Sequence, residues 1–405
     1  MNRLVLIGNG FDLAHNLRTS YNDFIDWYWE KTVNSFYGNL SSTAGDILCK
    51  FIYLGHGVWN VFASNYLNPI KRKKGGEIID SIINNKQAFK VRKTDFFENI
   101  THCIETKGWV DIENEYYHLL KQCSTTNQEG VARKLNEELK YLQDLLVEYL
   151  SSINSQEIEI KKSINQTIYE PINPDDIAIE ATSKWNQWIK YWEEKDEKAW
   201  RTRLYNFGIE DSKASGYVFS AEDYLKSPDS YDSIPALFRF PENIMLLSFN
   251  YTKTAQLYLH PNRQAFSINN IHGQLDQPES IIFGHGDEMD EQFKQMQNLN
   301  NQEFLKNIKS INYMKSDNYK KVLSFIESAP FQIYILGHSC GISDRTLLNT
   351  LFEHENCVSI KPFYYLKEDN TDNYLELVQN ISRNFNSMKL MRDRVVNKTY
   401  CKPIV

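Results

Sequence analysis

The sequence predicts an α/β protein: a doubly wound, mostly parallel sheet of Rossmann-like type, carrying a large helical insertion. Three observations predict it. A continuous apolar run, Leu4, Val5, Leu6 and Ile7, opens the chain and stops at Gly8-Asn9-Gly10. Strand-like runs then disappear until Pro241 and recur several times in the last third. Between them, residues from about 14 to 240 carry helical periodicity.

The first run is apolar at consecutive positions, so both faces of that strand are expected to be buried, as in a sheet covered by helices on two sides. A tight turn and a helix from Phe11 onward follow. In the middle, residues 130–150 place Leu135, Leu139, Leu142, Leu146 and Leu150 on one stripe of an amphipathic helix. Trp185, Trp188 and Trp192 share helical spacing. A core-facing ridge is the plainer reading, a base-stacking platform the other. Later β-rich runs lie at 244–249, 266–271, 280–283, 332–336 and 358–366. A chain of 405 residues is long for one core. The expected organisation is a nucleotide-binding α/β domain from 1–13 and 241–405, with a helical domain at 14–240. Residues 295–302 are polar enough for a mobile loop.

Composition narrows the function. With 41% hydrophobic residues the chain can bury a core, so it is globular rather than disordered. A formal net charge of −7 argues against a broad nucleic-acid binder. Basic stripes remain at Lys71, Arg72, Lys73 and Lys74 and among the lysines of 306–321, and a solvated face is the plainer reading of both. The six cysteines, Cys49, Cys103, Cys123, Cys340, Cys357 and Cys401, are scattered without metal-ligand spacing, so no structural zinc is expected. An even number admits disulfides, but the apolar opening is too short for a signal peptide, and a reducing cytoplasm is the expected setting. No stretch reaches the ~20 apolar residues of a spanning helix.

Chemistry-bearing residues gather at expected strand ends, where open α/β sheets bind ligands. Gly8-Asn9-Gly10 between a strand and a helix suits phosphate binding, although a plain tight turn has the same signature. Asn250-Tyr251-Thr252, His272-Gly273, Gly284-His285-Gly286 and Gly337-His338-Ser339 each follow an apolar run. A shared ligand site explains that recurrence better than turns alone.

The run from Val5 to His15 (Val-Leu-Ile-Gly-Asn-Gly-Phe-Asp-Leu-Ala-His), with Thr19-Ser20-Tyr21, Asp23-Phe24, Trp109-Val110-Asp111-Ile112-Glu113, Ser248-Phe249-Asn250-Tyr251-Thr252, Ile271-His272-Gly273 and Leu336-Gly337-His338-Ser339 with Asp344, resembles abortive-infection proteins of the AbiH family. More remotely, the order of these elements is similar to a sirtuin-like NAD-binding domain. That resemblance implies that Gly8, Asn9, Gly10, Phe11 and Asp12 line the pyrophosphate and nicotinamide-ribose side of NAD, with Gly337, Ser339 and Asp344 toward the adenosine half. The chain departs from it twice: the sirtuin Asn-x-Asp is Asn250-Tyr251-Thr252, and paired zinc cysteines are absent, which argues against protein deacetylation.

The implied reaction is hydrolysis of the nicotinamide–ribose bond. Asn250 would orient ribose or water, His272 would act as base, Asp12 would supply an anion, and Glu113 would close the pocket. Each has a plainer reading: His272 as a strand-end hydrogen-bonding residue, Asp12 as a helix cap, Trp109, Asp111 and Glu113 as packing. His285 and His338 would bind phosphate or satisfy carbonyls. A metal site from His272, His285, His338 and Asp344 lacks ligand spacing, so no metal is expected. The sequence therefore reads as a cytoplasmic antiphage effector that cleaves NAD when triggered. The first alternative is a sensor that binds a nucleotide without turnover; a nuclease or nucleic-acid-binding component ranks below it. Self-association and a phage or defence-system partner fit such a role, without fixing a stoichiometry.

Overall fold

The computed structural model describes residues 1–55, 57–67, 74–153, 157–195, 199, 239–259 and 265–404. Among them lie eight strands: β1 (Asn2–Ile7), β2 (Thr43–Gly45), β3 (Cys49–Tyr53), β4 (Phe89–Lys93), β5 (Ile244–Ser248), β6 (Phe266–Asn270), β7 (Phe331–Leu336) and β8 (Cys357–Phe363). Contacts divide the chain into two units: Met1–Asn16, Glu157–Ile281 and Tyr313–Val405 in one, Leu17–Gln156 and Ile282–Asn312 in the other.

The first unit holds a five-stranded sheet in the order β6-β5-β1-β7-β8, and every pairing is parallel. β1 is central, with Leu4 opposite Met245 on one side and Ile333 on the other. Every residue of β1, β5, β7 and β8 is buried, so both faces of these strands are covered, as the consecutive apolar run predicts. From β1 the chain builds outward through β5 and β6, then returns to the other side of β1 for β7 and β8. The strand order thus reverses between β1 and β7, and the carboxyl ends of those two strands flank the switch point.

One face is closed by Val5, Ile7, Leu246, Tyr334 and Leu336 packed with Phe11, Tyr258, Ile164 and Ile168. A second cluster joins Met1 and Val358 to Trp185, Trp188 and Ile189. The tryptophan ridge is therefore core, and its indole N–H groups on Trp188 and Trp192 donate to Glu242 Oε1. The outer edge of β8 is covered as well: Ala178 N–H donates to Val358 O at 2.9 Å, Val396 N–H to Ile360 O at 2.9 Å and Ile404 N–H to Tyr364 O at 3.0 Å.

A buried polar ladder crosses the middle of this sheet. Arg3 is fully buried, its guanidinium donating to Ile168 O at 2.9 Å and Gln332 Oε1 at 3.2 Å and lying 4.1 Å from the centre of the Tyr334 ring. Gln332 donates to Ser359 Oγ at 2.9 Å, and Lys361 Nζ sits 2.9 Å from Asp176 Oδ2. A one-residue slip in any of these strands would turn the polar groups to the opposite face, so the ladder helps to fix register.

In the second unit, the helices Tyr21–Tyr37, Asp95–Lys107 and Ile112–Thr125 begin at Ser20, Thr94 and Asp111, whose side chains accept from Asp23, Phe97 and Asn114 N–H groups. The long helix Glu129–Ile153 buries Leu135, Leu139, Leu142, Leu146 and Leu150, as its stripe predicts. Asp46 accepts from Tyr28 Oη at 3.1 Å and Tyr141 Oη at 3.2 Å, tying two helices to the β2–β3 turn. Among the described residues of the whole chain, no helix is long and apolar enough to cross a membrane.

Four expectations are corrected. The middle of the chain is not wholly helical, because β2, β3 and β4 form an antiparallel sheet. Their signal was faint: three to five residues each, with lysines alternating into Phe89–Lys93, and the burial comes from Trp59, which stacks on Phe36 at 4.3 Å and Phe89 at 5.2 Å. Residues 280–283 are not a strand: Pro278–Ser280 forms a 3₁₀ turn, and Ile281, Ile282 and Phe283 are buried in irregular backbone. Residues 295–298 close the helix Glu291–Asn298 rather than forming a loop. Lys309 within the 306–321 stripe is buried and ion-paired, not solvated; Lys71, Arg72 and Lys73 lie outside the described residues. The partition also groups the described part of 157–240 with the sheet and 282–312 with the helices, where periodicity alone grouped 14–240 together. Arg3 bonded to Ile168 explains the first regrouping, and Asn136 Nδ2 donating to Glu303 O at 2.9 Å exemplifies the second.

Asp176→Ala, which strands the buried Lys361 charge, is expected to lower unfolding stability by about 3–5 kcal/mol. The double change Asp176→Leu with Lys361→Met should restore most of it. Urea denaturation reads both, and equal losses in the single and double variants would refute a paired-charge origin.

Candidate functional site

The site grows from the carboxyl ends of β1, β5, β6 and β7. After Ile7 the backbone enters a six-residue helix, Asn9–Ala14, and after Leu336 it turns through Gly337 at φ 73°. The two turns touch. Gly10 N–H donates to Gly337 O at 2.8 Å, and Phe11 N–H closes on Gly8 O at 2.9 Å. A Cβ on Gly337 would stand 2.1 Å from Phe11 N, one on Gly10 2.9 Å from Gly337 Cα, and one on Gly8 2.6 Å from His338 Cα. The glycines are thus required by the mutual approach of two backbones at the switch point.

Asn250 follows β5 by two residues, and its Nδ2 donates to Gly8 O at 3.0 Å. Two residues on, Thr252 Oγ1 donates to Asp12 Oδ2 at 2.6 Å, with Thr254 Oγ1 3.3 Å behind it. Asp12 is 1% exposed. Burial pushes its carboxyl up from the ordinary carboxylate range, while Thr252, Thr254 and Asn250 pull the other way. Asp12 Oδ1 has no hydrogen-bond partner, and neither does Asn270 Oδ1 at the end of β6. Asp12 does not cap its helix; the cap position is Gly8, and Asp12 lies a full turn further in.

His272 follows β6 by two residues. Its Nε2 lies 3.2 Å from Asp344 Oδ1 and 3.3 Å from Tyr313 Oη, with the Phe249 ring edge-on at 5.2 Å. His338 Nε2 lies 3.6 Å from the other oxygen of Asp344, and its Nδ1 accepts Cys340 N–H at 3.0 Å. His272, His338 and Asp344 are 4%, 6% and 7% exposed. Contacts therefore run continuously from Asn250 through Gly8 and His338 to Asp344 and His272. The glycine turn, the Asn250 loop and the His272 loop lie in one connected set of contacts.

Glu113 belongs to the helical unit. Its Oε2 lies 2.8 Å from buried Lys309 Nζ, and its Oε1 accepts Gly284 N–H at 3.0 Å. His285 is in the same unit, stacked on Tyr117 with ring centres 3.9 Å apart. Asp111 caps the helix, and Trp109 is exposed. Among the described residues no group of three His, Cys, Asp or Glu side chains is disposed to hold a metal. Thr252 lay within a motif the sequence singled out, whereas Thr254, Asn270 and Tyr313 carry no signal in isolation: nothing in a lone tyrosine far from the strand ends points to a histidine.

A family model described as bacteriophage abortive infection AbiH matches residues 4–366. The chain belongs to the AbiH family. The match runs from β1 past the end of β8, so it takes in all four strand-end loops as well as the helical unit. AbiH membership places the protein in phage defence by abortive infection. No protein of curated function and no solved structure is similar enough to match it.

Two measurements probe this AbiH site as a physical object. Gly337→Ala is expected to destabilise the fold by about 1–3 kcal/mol, through positive φ and backbone collision, while Gly38→Ala, whose Cβ would meet nothing within 4 Å, should stay within about 0.5 kcal/mol. Equal urea midpoints would refute the contact. Because the folded Asp12 pKa is raised, its favourable contribution is complete below the unfolded pKa and is lost as pH rises through the folded value. Asp12→Asn should therefore raise the melting temperature at pH 7 more than at pH 4; the reverse order would contradict a buried, reluctantly ionised carboxyl.

Proposed function

We propose that this AbiH-family protein is an abortive-infection effector that hydrolyses the nicotinamide–ribose bond of NAD once triggered by infection. The observation that carries the reading is the buried Asp12 carboxyl, with one oxygen unpartnered, beside Asn250 at the switch point of a parallel sheet. An orphaned buried carboxyl oxygen is costly unless a ligand completes it. A cationic nicotinamide ring or its cationic sugar would do so, and would pull Asp12 back toward its charged form.

In the reaction the C1′–N bond breaks and its electron pair passes to the ring nitrogen, neutralising the pyridinium. Asp12 opposes the positive charge left on the ribose, and Asn250 orients the ribose or the attacking water. Water oxygen bonds to C1′ and its proton goes to His272. Nicotinamide and ADP-ribose leave. Of the groups expected to hold the pyrophosphate, the Gly10 N–H is already used by Gly337 and the Phe11 N–H by Gly8, which leaves Asn9 and His338 as candidates, with Ser339 toward the adenosine half. A second reading, a nucleotide sensor without turnover, is favoured by one observation, the 4% exposure of His272.

Cells carrying the protein should lose NAD after phage infection, and the purified protein should release nicotinamide from NAD under the triggering condition. Asn250→Ala and His272→Ala should each lower that release by about 10²-fold or more. If infected cells keep their NAD while the protein is thermally stabilised by it, the sensor reading replaces the enzyme.

A further inference from the structure

We infer that Asp344 is the positioning residue for His272, holding the imidazole by its Nε2 so that Nδ1 becomes the basic nitrogen. The inference rests on the reading of His272 as base and adds the group that sets its orientation and tautomer. The similarity to sirtuin-like domains would instead send Asp344 to the adenosine half of the ligand.

Asp344 stands at the N-cap of the helix Arg345–Phe352, where an aspartate ordinarily accepts a backbone N–H of the first turn. Its side chain makes no such bond. Its two oxygens face two imidazoles instead, Oδ1 toward His272 Nε2 at 3.2 Å and Oδ2 toward His338 Nε2 at 3.6 Å. A cap stabilises its helix, and giving it up for a buried position is explicable if the histidines use the carboxylate.

The tautomers follow from donors and acceptors. His338 Nδ1 accepts the Cys340 N–H, so its neutral ring carries the proton on Nε2, on the side of Asp344. An ionised carboxylate only accepts, so His272 likewise presents Nε2–H to Oδ1 at 3.2 Å, with Tyr313 Oη at 3.3 Å a second acceptor beside the same nitrogen. A histidine fixed in this way takes its next proton on the opposite nitrogen, and the carboxylate stabilises the imidazolium that results.

The loop is built at a cost. Gly337 has φ 73° and Cys340, which is not a glycine, has φ 54°. A left-handed non-glycine residue is strained and persists where its surroundings over-determine it. Here Asn384 Nδ2 donates to Cys340 O at 2.9 Å and Asn380 Nδ2 to Ser339 O at 3.0 Å, pinning both flanks of the strained residue. The strained stretch lies between His338 and Asp344, and the Asp344 carboxylate ends up within reach of both His338 and His272.

The test uses the full chain labelled with ¹⁵N-histidine, with the His272 signals assigned by their loss in His272→Gln. At a pH of about 8, where a histidine of ordinary pKa is neutral, the wild-type ring is expected in the Nε2–H form, and Asp344→Asn should shift it toward Nδ1–H. If the wild-type neutral ring is Nδ1–H, the inference is overturned whatever the variant does. Under the triggering condition, Asp344→Asn should lower kcat for nicotinamide release by about 10²- to 10⁴-fold with KM for NAD changed less than about threefold. A raised KM with unchanged kcat would place Asp344 on the ligand and overturn the positioning role. A wild-type protein that never releases nicotinamide would defeat the proposed reaction, while the tautomer measurement would still decide the geometry.

Discussion

Two backbones meet at Gly10 and Gly337, and what stands at the carboxyl edge of the sheet is placed by that meeting. A side chain at either position would collide with the opposing backbone, most severely at Gly337, where a Cβ would stand 2.1 Å from Phe11 N. The consequences spread outward. Asn250 reaches a carbonyl only because Gly8 is held in place, Asp12 is carried inward by the helix that follows, and His338 lies against Gly8 with its ring directed to Asp344. The polar residues are not individually unusual. Their convergence comes from parallel strands that end together at a reversal of strand order.

The sheet was legible because its strands are buried on both faces, and consecutive apolar residues write that condition directly into the chain. β1, β5, β6, β7 and β8 all fall on runs that stand out in the sequence, and so does the helix Glu129–Ile153, with its leucine stripe. β2, β3 and β4 were not legible. Their few residues alternate with lysines, and the strands are held by aromatic neighbours such as Trp59 and Phe36 that arrive from elsewhere in the sequence. The opposite error arose at 280–283, where apolar residues are buried in irregular backbone, since a short apolar run reports burial and does not distinguish a strand from a packed loop.

The site divides along the same line. Gly8, Gly10, Asn250, His272 and Gly337 were visible because each sits at the end of a readable strand. Asp344 was visible only as a member of a motif, and what it touches depends on the path of a strained loop, which no local rule supplies. Tyr313 lies 41 residues beyond His272 and reaches it only through tertiary structure. Glu113 follows Asp111 and Ile112 into a helix, and its carboxylate contacts Lys309 Nζ and accepts Gly284 N–H, partners that sequence adjacency does not reveal.

The coverage of β8 bears on how copies of this protein can associate. An open strand edge is a template on which a second chain can add its own strand. Here the hydrogen-bonding groups of Val358, Ile360 and Tyr364 are already taken by Ala178, Val396 and Ile404. Extension of the sheet from one molecule into the next on that side would first have to displace the segments bearing Ala178, Val396 and Ile404, so a continuous β-ribbon through β8 is closed to copies that keep this fold.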